Sequence, residues 1–130
     1  MTHPAQPLHF MRHFILETDF KTDELPDLFN LAHDFKWNRG CHMPPLPLEG
    51  QSWAMVFYKS STRTRISFEV GISELGGHPI IIDTSRTQLG RGESPADTAK
   101  VFSGYLHGVI IRCYQHYLLD TFAREGSIAV

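Results

Sequence analysis

Lys59, Arg63 and Arg65 fall within the stretch "FYKSSTRTRISFEV" (residues 57–70), and the hydroxyls of Ser60, Ser61, Thr62 and Thr64 lie between them. That mixture suits one kind of ligand, a small oxyanion with several acceptor oxygens, phosphate above all. Arginine offers two parallel donors to two oxygens at once, which lysine cannot match, and hydroxyls and helix-start amides add further donors. A serine or threonine before a helix ordinarily serves as a cap alone, and a first-turn arginine is ordinarily solvated or ion-paired. Here two arginines oppose the helix dipole, each at a cost of about 0.3–1 kcal/mol. A bound anion explains why they are there. Arg65 is a weaker ligand candidate, because it points about 200° around the helix from Arg63 and has Glu69 four residues on as an intrahelical partner.

The elements that must position this turn follow from pattern. "SWAMVFY" (52–58) is short, continuous and apolar, as a strand buried on both faces would be. A helix is predicted from about Thr62, with Ile66, Phe68, Val70, Ile72 and Leu75 as a broad apolar face and Gly76 and Gly77 as its stop. The cation-rich turn therefore joins the carboxyl end of a buried strand to the first turn of a helix. Upstream, "TDELPDLFNLAHDFKW" predicts an amphipathic helix with Thr22 at its N-cap. Downstream, "HPIIID" and "GVIIRCY" read as buried strands and "TSRTQLGRGE" as a polar loop. Ser94, Pro95 and Asp97 open a further helix by the strongest local signals in the chain. "HYLLDTFAREG" is a helix closed by Gly126, and "SIAV" begins a fourth strand. This alternation predicts an α/β fold, a three-layer arrangement of a parallel sheet of about four strands with helices on both faces. In such sheets ligands bind beyond the carboxyl ends of the strands.

Composition bounds the reading. The chain has 130 residues, 42% of them apolar and 20% charged, which fits one globular domain with a substantial core. A net charge of −2 argues against a general nucleic-acid partner, so any anion site must be local. No stretch approaches a membrane span, and the two cysteines, Cys41 and Cys113, read as reduced thiols of a cytoplasmic protein. Residues 1–10 read as a leader and 11–130 as the domain. His13, His33, His42, His78, His107 and His116 lack metal-ligand spacing, so no metal or other cofactor is expected. Glu93 is read as a loop anchor and Asp97 as part of a helix cap.

"STRTR" followed by "SFEVG" resembles the carbamoyl phosphate motif of the aspartate/ornithine carbamoyltransferase family. The resemblance extends through "MRHF", "LEGQSWAMVFYKSSTRTRISFEVG", "LGGHPIIID", "QLGRGES", "DTAKV" and "IIRCY", in the family's order, over about residues 11–130. It implies that Ser61, Thr62, Arg63 and Thr64 bind the phosphate of carbamoyl phosphate, that Arg112 reaches the same ligand, and that Gln88 is a further ligand. Taken alone, Arg112 at the end of an apolar strand is ordinarily a solvation device, but this strand end would face the same crevice as Arg63.

The activity implied is carbamoyl transfer to the δ-amino group of ornithine, giving citrulline and phosphate in arginine biosynthesis, with Arg63 and Arg112 as catalytic residues. No metal and no covalent intermediate are required. The resemblance also implies a homotrimer with residues 84–93 near a neighbouring subunit, and a second, amine-binding domain that this chain lacks. The loop "TQLGRGES" lacks the serine and lysine pattern usual for aspartate transfer and so favours ornithine. A domain of an aspartate, acetylornithine or putrescine carbamoyltransferase, and a truncated phosphate-binding module without turnover, stay open as alternatives.

Overall fold

Three of the apolar runs form parallel strands, and the helices between them carry the chain back across the sheet. The computed structural model describes residues 12–41, 46–86 and 92–130. The elements are α1 (Leu25–Trp37), β1 (Ser52–Phe57), α2 (Thr62–Glu74), β2 (His78–Asp83), α3 (Pro95–Ser103), β3 (Gly108–Arg112) and α4 (Tyr117–Glu125). Strand order is β2-β1-β3, with both pairings parallel. The place of a fourth strand is taken by a single parallel bridge from Gly108 to Ala129. The α/β arrangement expected from the sequence is therefore present, with three strands and one bridge.

β1 is central and the most deeply buried, with Ala54, Met55 and Val56 fully covered. Because side chains alternate across a strand, Ala54 and Val56 face α3 and α4. There they join Ala99, Val109, Phe122 and Ile128 in the main core. Phe102 and Phe122 meet edge to face at 5.9 Å in that layer. Met55, Trp53 and Phe57 point to the other face, which α2 partly covers. The Trp53 ring lies directly over Gly108, its partner in the register, and a Cβ at that glycine would overlap the ring. α2 ends where Gly76 takes a φ of +89°, a conformation open to glycine at no steric cost.

Two expectations are corrected. The cap of α1 is Glu24 and not Thr22. The Glu24 carboxylate accepts the Lys21 N–H at 2.7 Å and both Nη groups of Arg12 at 2.8–2.9 Å, which fixes residues 21–24 as a turn ahead of the helix. Secondly, α2 buries only Ile72, while Ile66 and Phe68 are exposed. Residues 66, 68, 70 and 72 are spaced by two, so on a helix they spread around the axis instead of making one stripe. The leader at 1–10 and the central part of the polar loop lie outside the described residues.

Candidate functional site

The strand order places a switch point at β1. From β1 the chain turns through α2 to β2 on one side, while β3 lies on the other. Ligands of open α/β sheets bind in the crevice that such a divergence leaves at the strands' carboxyl ends. The Tyr58 N–H donates to the Arg112 carbonyl at 2.9 Å, which closes the last rung of the β1–β3 ladder, Phe57 against Arg112. On the other side the buried Thr84 hydroxyl donates to the Phe57 carbonyl at 3.1 Å. Both neighbours thus hold the end of β1 from which the cation-rich turn departs.

Ser61 is the N-cap of α2, with extended backbone and with its Oγ accepting the Thr64 N–H at 3.3 Å. The same hydroxyl donates to Thr64 Oγ1 at 2.9 Å. Arg112 Nη1 also donates to Thr64 Oγ1, at 2.5 Å, across 48 residues of sequence. Ser61, Thr64 and Arg112 are thereby brought into one connected group, with Thr64 and Arg112 half-buried. The amides of Thr62 and Arg63 are in the first turn and have no intrahelical acceptor.

The expected residues do not all fare alike. Ser61, Thr64 and Arg112 meet as described. Thr62 lies on the opposite side of the turn, lining a cleft of about 670 Å³ with Ser60, Ser61 and Thr84. Thr64 and Arg112 close one end of a second cleft, of about 530 Å³, that runs past Trp53, Phe68 and Ile110. Arg63 is exposed and, among the described residues, makes no ion pair or hydrogen bond through its side chain. Gln88 lies outside the described residues. Arg65 pairs with Glu69 at 3.6 Å, as its spacing predicts.

Two contacts escaped the sequence reading. One is the Thr84 anchor. The other is Lys59, whose Nζ sits 5.1 Å from the centroid of the Tyr114 ring. Both depend on which strands are neighbours, and nothing local in the sequence encodes that.

Among the described residues there is no group of three or more His, Cys, Asp or Glu arranged to hold a metal ion. Burial pushes the Cys113 thiol up from its ordinary value, so at neutral pH it is not the thiolate that nucleophilic catalysis needs. Burial likewise raises Tyr58, with added repulsion from Cys113, Tyr117 and Glu93. A third cleft, between α1 and α2, is largely apolar, and its Arg39 is already held by both oxygens of Glu74 at 2.8–2.9 Å. At the start of α2, by contrast, the Arg63 side chain and the first-turn amides of Thr62 and Arg63 have no partner among the described residues.

An α/β domain with an anion-receptive strand–turn–helix at its switch point is the class that fold and site define. The chain belongs to the aspartate/ornithine carbamoyltransferase family, whose carbamoyl-P binding domain model matches residues 12–130. It is 54% identical over 106 residues to an ornithine carbamoyltransferase of Akkermansia muciniphila, covering 82% of this chain and 34% of that protein. With one from Geobacter sulfurreducens it shares 45% identity over 120 residues, 92% of this chain and 40% of that protein. Among solved structures, ornithine carbamoyltransferase from Burkholderia thailandensis superposes with a TM-score of 0.84 at 36% identity, over 92% of this chain and 41% of that one. The catalytic subunit of M. jannaschii aspartate transcarbamoylase superposes with a TM-score of 0.80 at 30% identity, over 92% of this chain and 39% of that one. The chain thus spans roughly two-fifths of the length of these relatives.

Proposed function

We propose that this chain binds carbamoyl phosphate as the first half of an ornithine carbamoyltransferase, for transfer of the carbamoyl group to the δ-amino group of L-ornithine in arginine biosynthesis. The observation that carries the reading is the hydroxyl and guanidinium group of Ser61, Thr64 and Arg112 beside Arg63, whose side chain has no partner among the described residues, at the start of a helix with no acid in its first turn. Ser61, Thr62, Arg63 and the first-turn amides serve the phosphate. Thr64 and Arg112 serve the carbamoyl oxygen, and Gln88 is a further ligand. Ornithine binding is assigned, in this proposal, to a second domain outside the matched residues 12–130. The working assembly is a cytoplasmic homotrimer.

In the reaction the neutral amine nitrogen attacks the carbamoyl carbon, the bond from that carbon to the oxygen bridging it to phosphorus breaks, and the proton lost by the amine leaves on the phosphate. Negative charge grows on the carbonyl oxygen and on the departing phosphate. Donors already fixed at those two places stabilise the transition state more than the ground state and hold the ester in an attackable pose. A hydrogen-bonded charge pair of this kind contributes about 1.5–3 kcal/mol.

Titration of the chain with carbamoyl phosphate tests the reading. Wild type is expected to bind and Arg63→Ala to bind at least tenfold more weakly, while citrulline formation by the 130-residue chain alone stays at background. Equal binding by the two proteins would move the site elsewhere.

A further inference from the structure

We propose that Tyr114 is a positioning residue of the anion site: the face of its ring holds the Lys59 ammonium at the mouth of the crevice, as a third cation for the phosphate ester beside Arg63 and Arg112. The inference rests on the carbamoyl phosphate reading above and adds to it a residue outside the "STRTR" run.

The placement follows from the ladder. Phe57 and Arg112 are the last register partners of β1 and β3, and the bond from Tyr58 N–H to the Arg112 carbonyl at 2.9 Å closes that rung. Lys59 and Tyr114 each stand two residues beyond it, on segments that leave strand ends already tied together. The Cys113 thiol donates to the Gln115 carbonyl at 3.3 Å and bends the segment that carries Tyr114. The resulting 5.1 Å from ammonium to ring centroid is inside the range of a cation–π contact.

Two further observations separate this pair from ordinary surface packing. Tyr114 is 74% exposed, so burial is not what keeps its ring in place. Among the described residues no ion pair includes Lys59. A carboxylate partner would neutralise the lysine and compete with an arriving anion, whereas a ring face restrains the ammonium and leaves its charge available. A lysine stem is flexible, and restraining it before the ligand arrives removes part of the ordering cost of binding. A cation–π contact at an exposed site corresponds to an affinity change of about two- to fivefold.

The test uses the full 130-residue chain, carbamoyl phosphate as ligand, and the variants Tyr114→Leu, Tyr114→Phe, Lys59→Met and Lys59→Met/Tyr114→Leu. Tyr114→Leu is expected to lower affinity about two- to fivefold and to flatten its salt dependence. Tyr114→Phe, which keeps the ring, is expected to bind as wild type. In the Lys59→Met background the leucine change is expected to have no further effect. In the free protein, the Lys59 side-chain methylene protons are expected to show a ring-current NMR shift that persists in Tyr114→Phe and vanishes in Tyr114→Leu. The proposal is overturned if Tyr114→Leu binds as wild type, if phenylalanine fails to rescue, or if the loss is equally large without Lys59. A wild type that binds no carbamoyl phosphate overturns the anion-site reading as well, whereas a wild type that binds beside an unaffected Tyr114→Leu overturns only this one.

Discussion

The α2 and α3 N-termini share a cap and differ in the residues of the first turn. In each, a serine Oγ accepts the amide three residues on, from Thr64 at 3.3 Å in α2 and from Asp97 at 3.1 Å in α3. α3 continues with Pro95 and Asp97, so its own carboxylate faces its positive end. α2 continues with Thr62, Arg63, Thr64 and Arg65 and has no acid in its first turn, whereas α1, α3 and α4 each have one. Among the described residues the arginine side chains divide the same way. Arg12, Arg39, Arg65 and Arg124 each pair with a glutamate, while Arg112 donates to a hydroxyl and the Arg63 side chain has no partner among the described residues. One helix start is completed by its own residues. The other has arginines and no acid in its first turn, and in the proposed function carbamoyl phosphate supplies the negative charge there.

Charge reversal gives this comparison its largest test. Arg63→Glu is expected to reduce carbamoyl phosphate affinity at least 100-fold, since a donor is lost and a repelling carboxylate gained. The same change puts an acid where the dipole favours one, so the free chain is expected to gain about 0.3–1 kcal/mol and melt at a slightly higher temperature. Asp97→Lys in α3 is expected to destabilise the chain by a similar amount without altering the affinity. Thermal melts and calorimetric titrations of the two variants read both quantities.

Removing the caps is the next test in size. Ser61→Ala and Ser94→Ala are each expected to cost about 1 kcal/mol of stability by urea unfolding. Only Ser61→Ala is expected also to weaken binding, because Thr64 Oγ1 loses the hydroxyl that holds it against Arg112. Equal affinity in both would mean that the Ser61–Thr64–Arg112 group plays no part in binding. The smallest effect is expected of Arg65→Ala. Its exposed pair with Glu69 contributes a few tenths of a kcal/mol, and the affinity is expected to be unchanged.

How far the sequence discloses this molecule depends on how local the cause is. Ser94, Pro95 and Asp97 settle the start of α3 among themselves, and the strand–turn–helix at residues 52–64 is equally readable from a short window. The cap of α1 is not, because Arg12 reaches from twelve residues away to hold Glu24. That ion pair, with the Lys21 N–H, draws the Glu24 carboxyl down to about 2. At the site, the type of each residue is legible, but the bond from Arg112 to Thr64 and the seat of Lys59 on Tyr114 depend on β1 lying between β2 and β3. Strand order is a property of the packed sheet and no single segment carries it. The apolar residues of α2 misled for a different reason: spacing by two suggests a sided element, and a helix does not honour that spacing.

The central claim is that the start of α2, and not that of α3, receives the phosphate group. An amide-resolved NMR titration of the 15N-labelled chain with carbamoyl phosphate tests it most directly. Saturable shifts at Thr62, Arg63 and Thr64, together with the Arg112 side chain, and none at Ala96 to Thr98, are the predicted result. Saturation centred on any other segment, or no saturation at all, would contradict it.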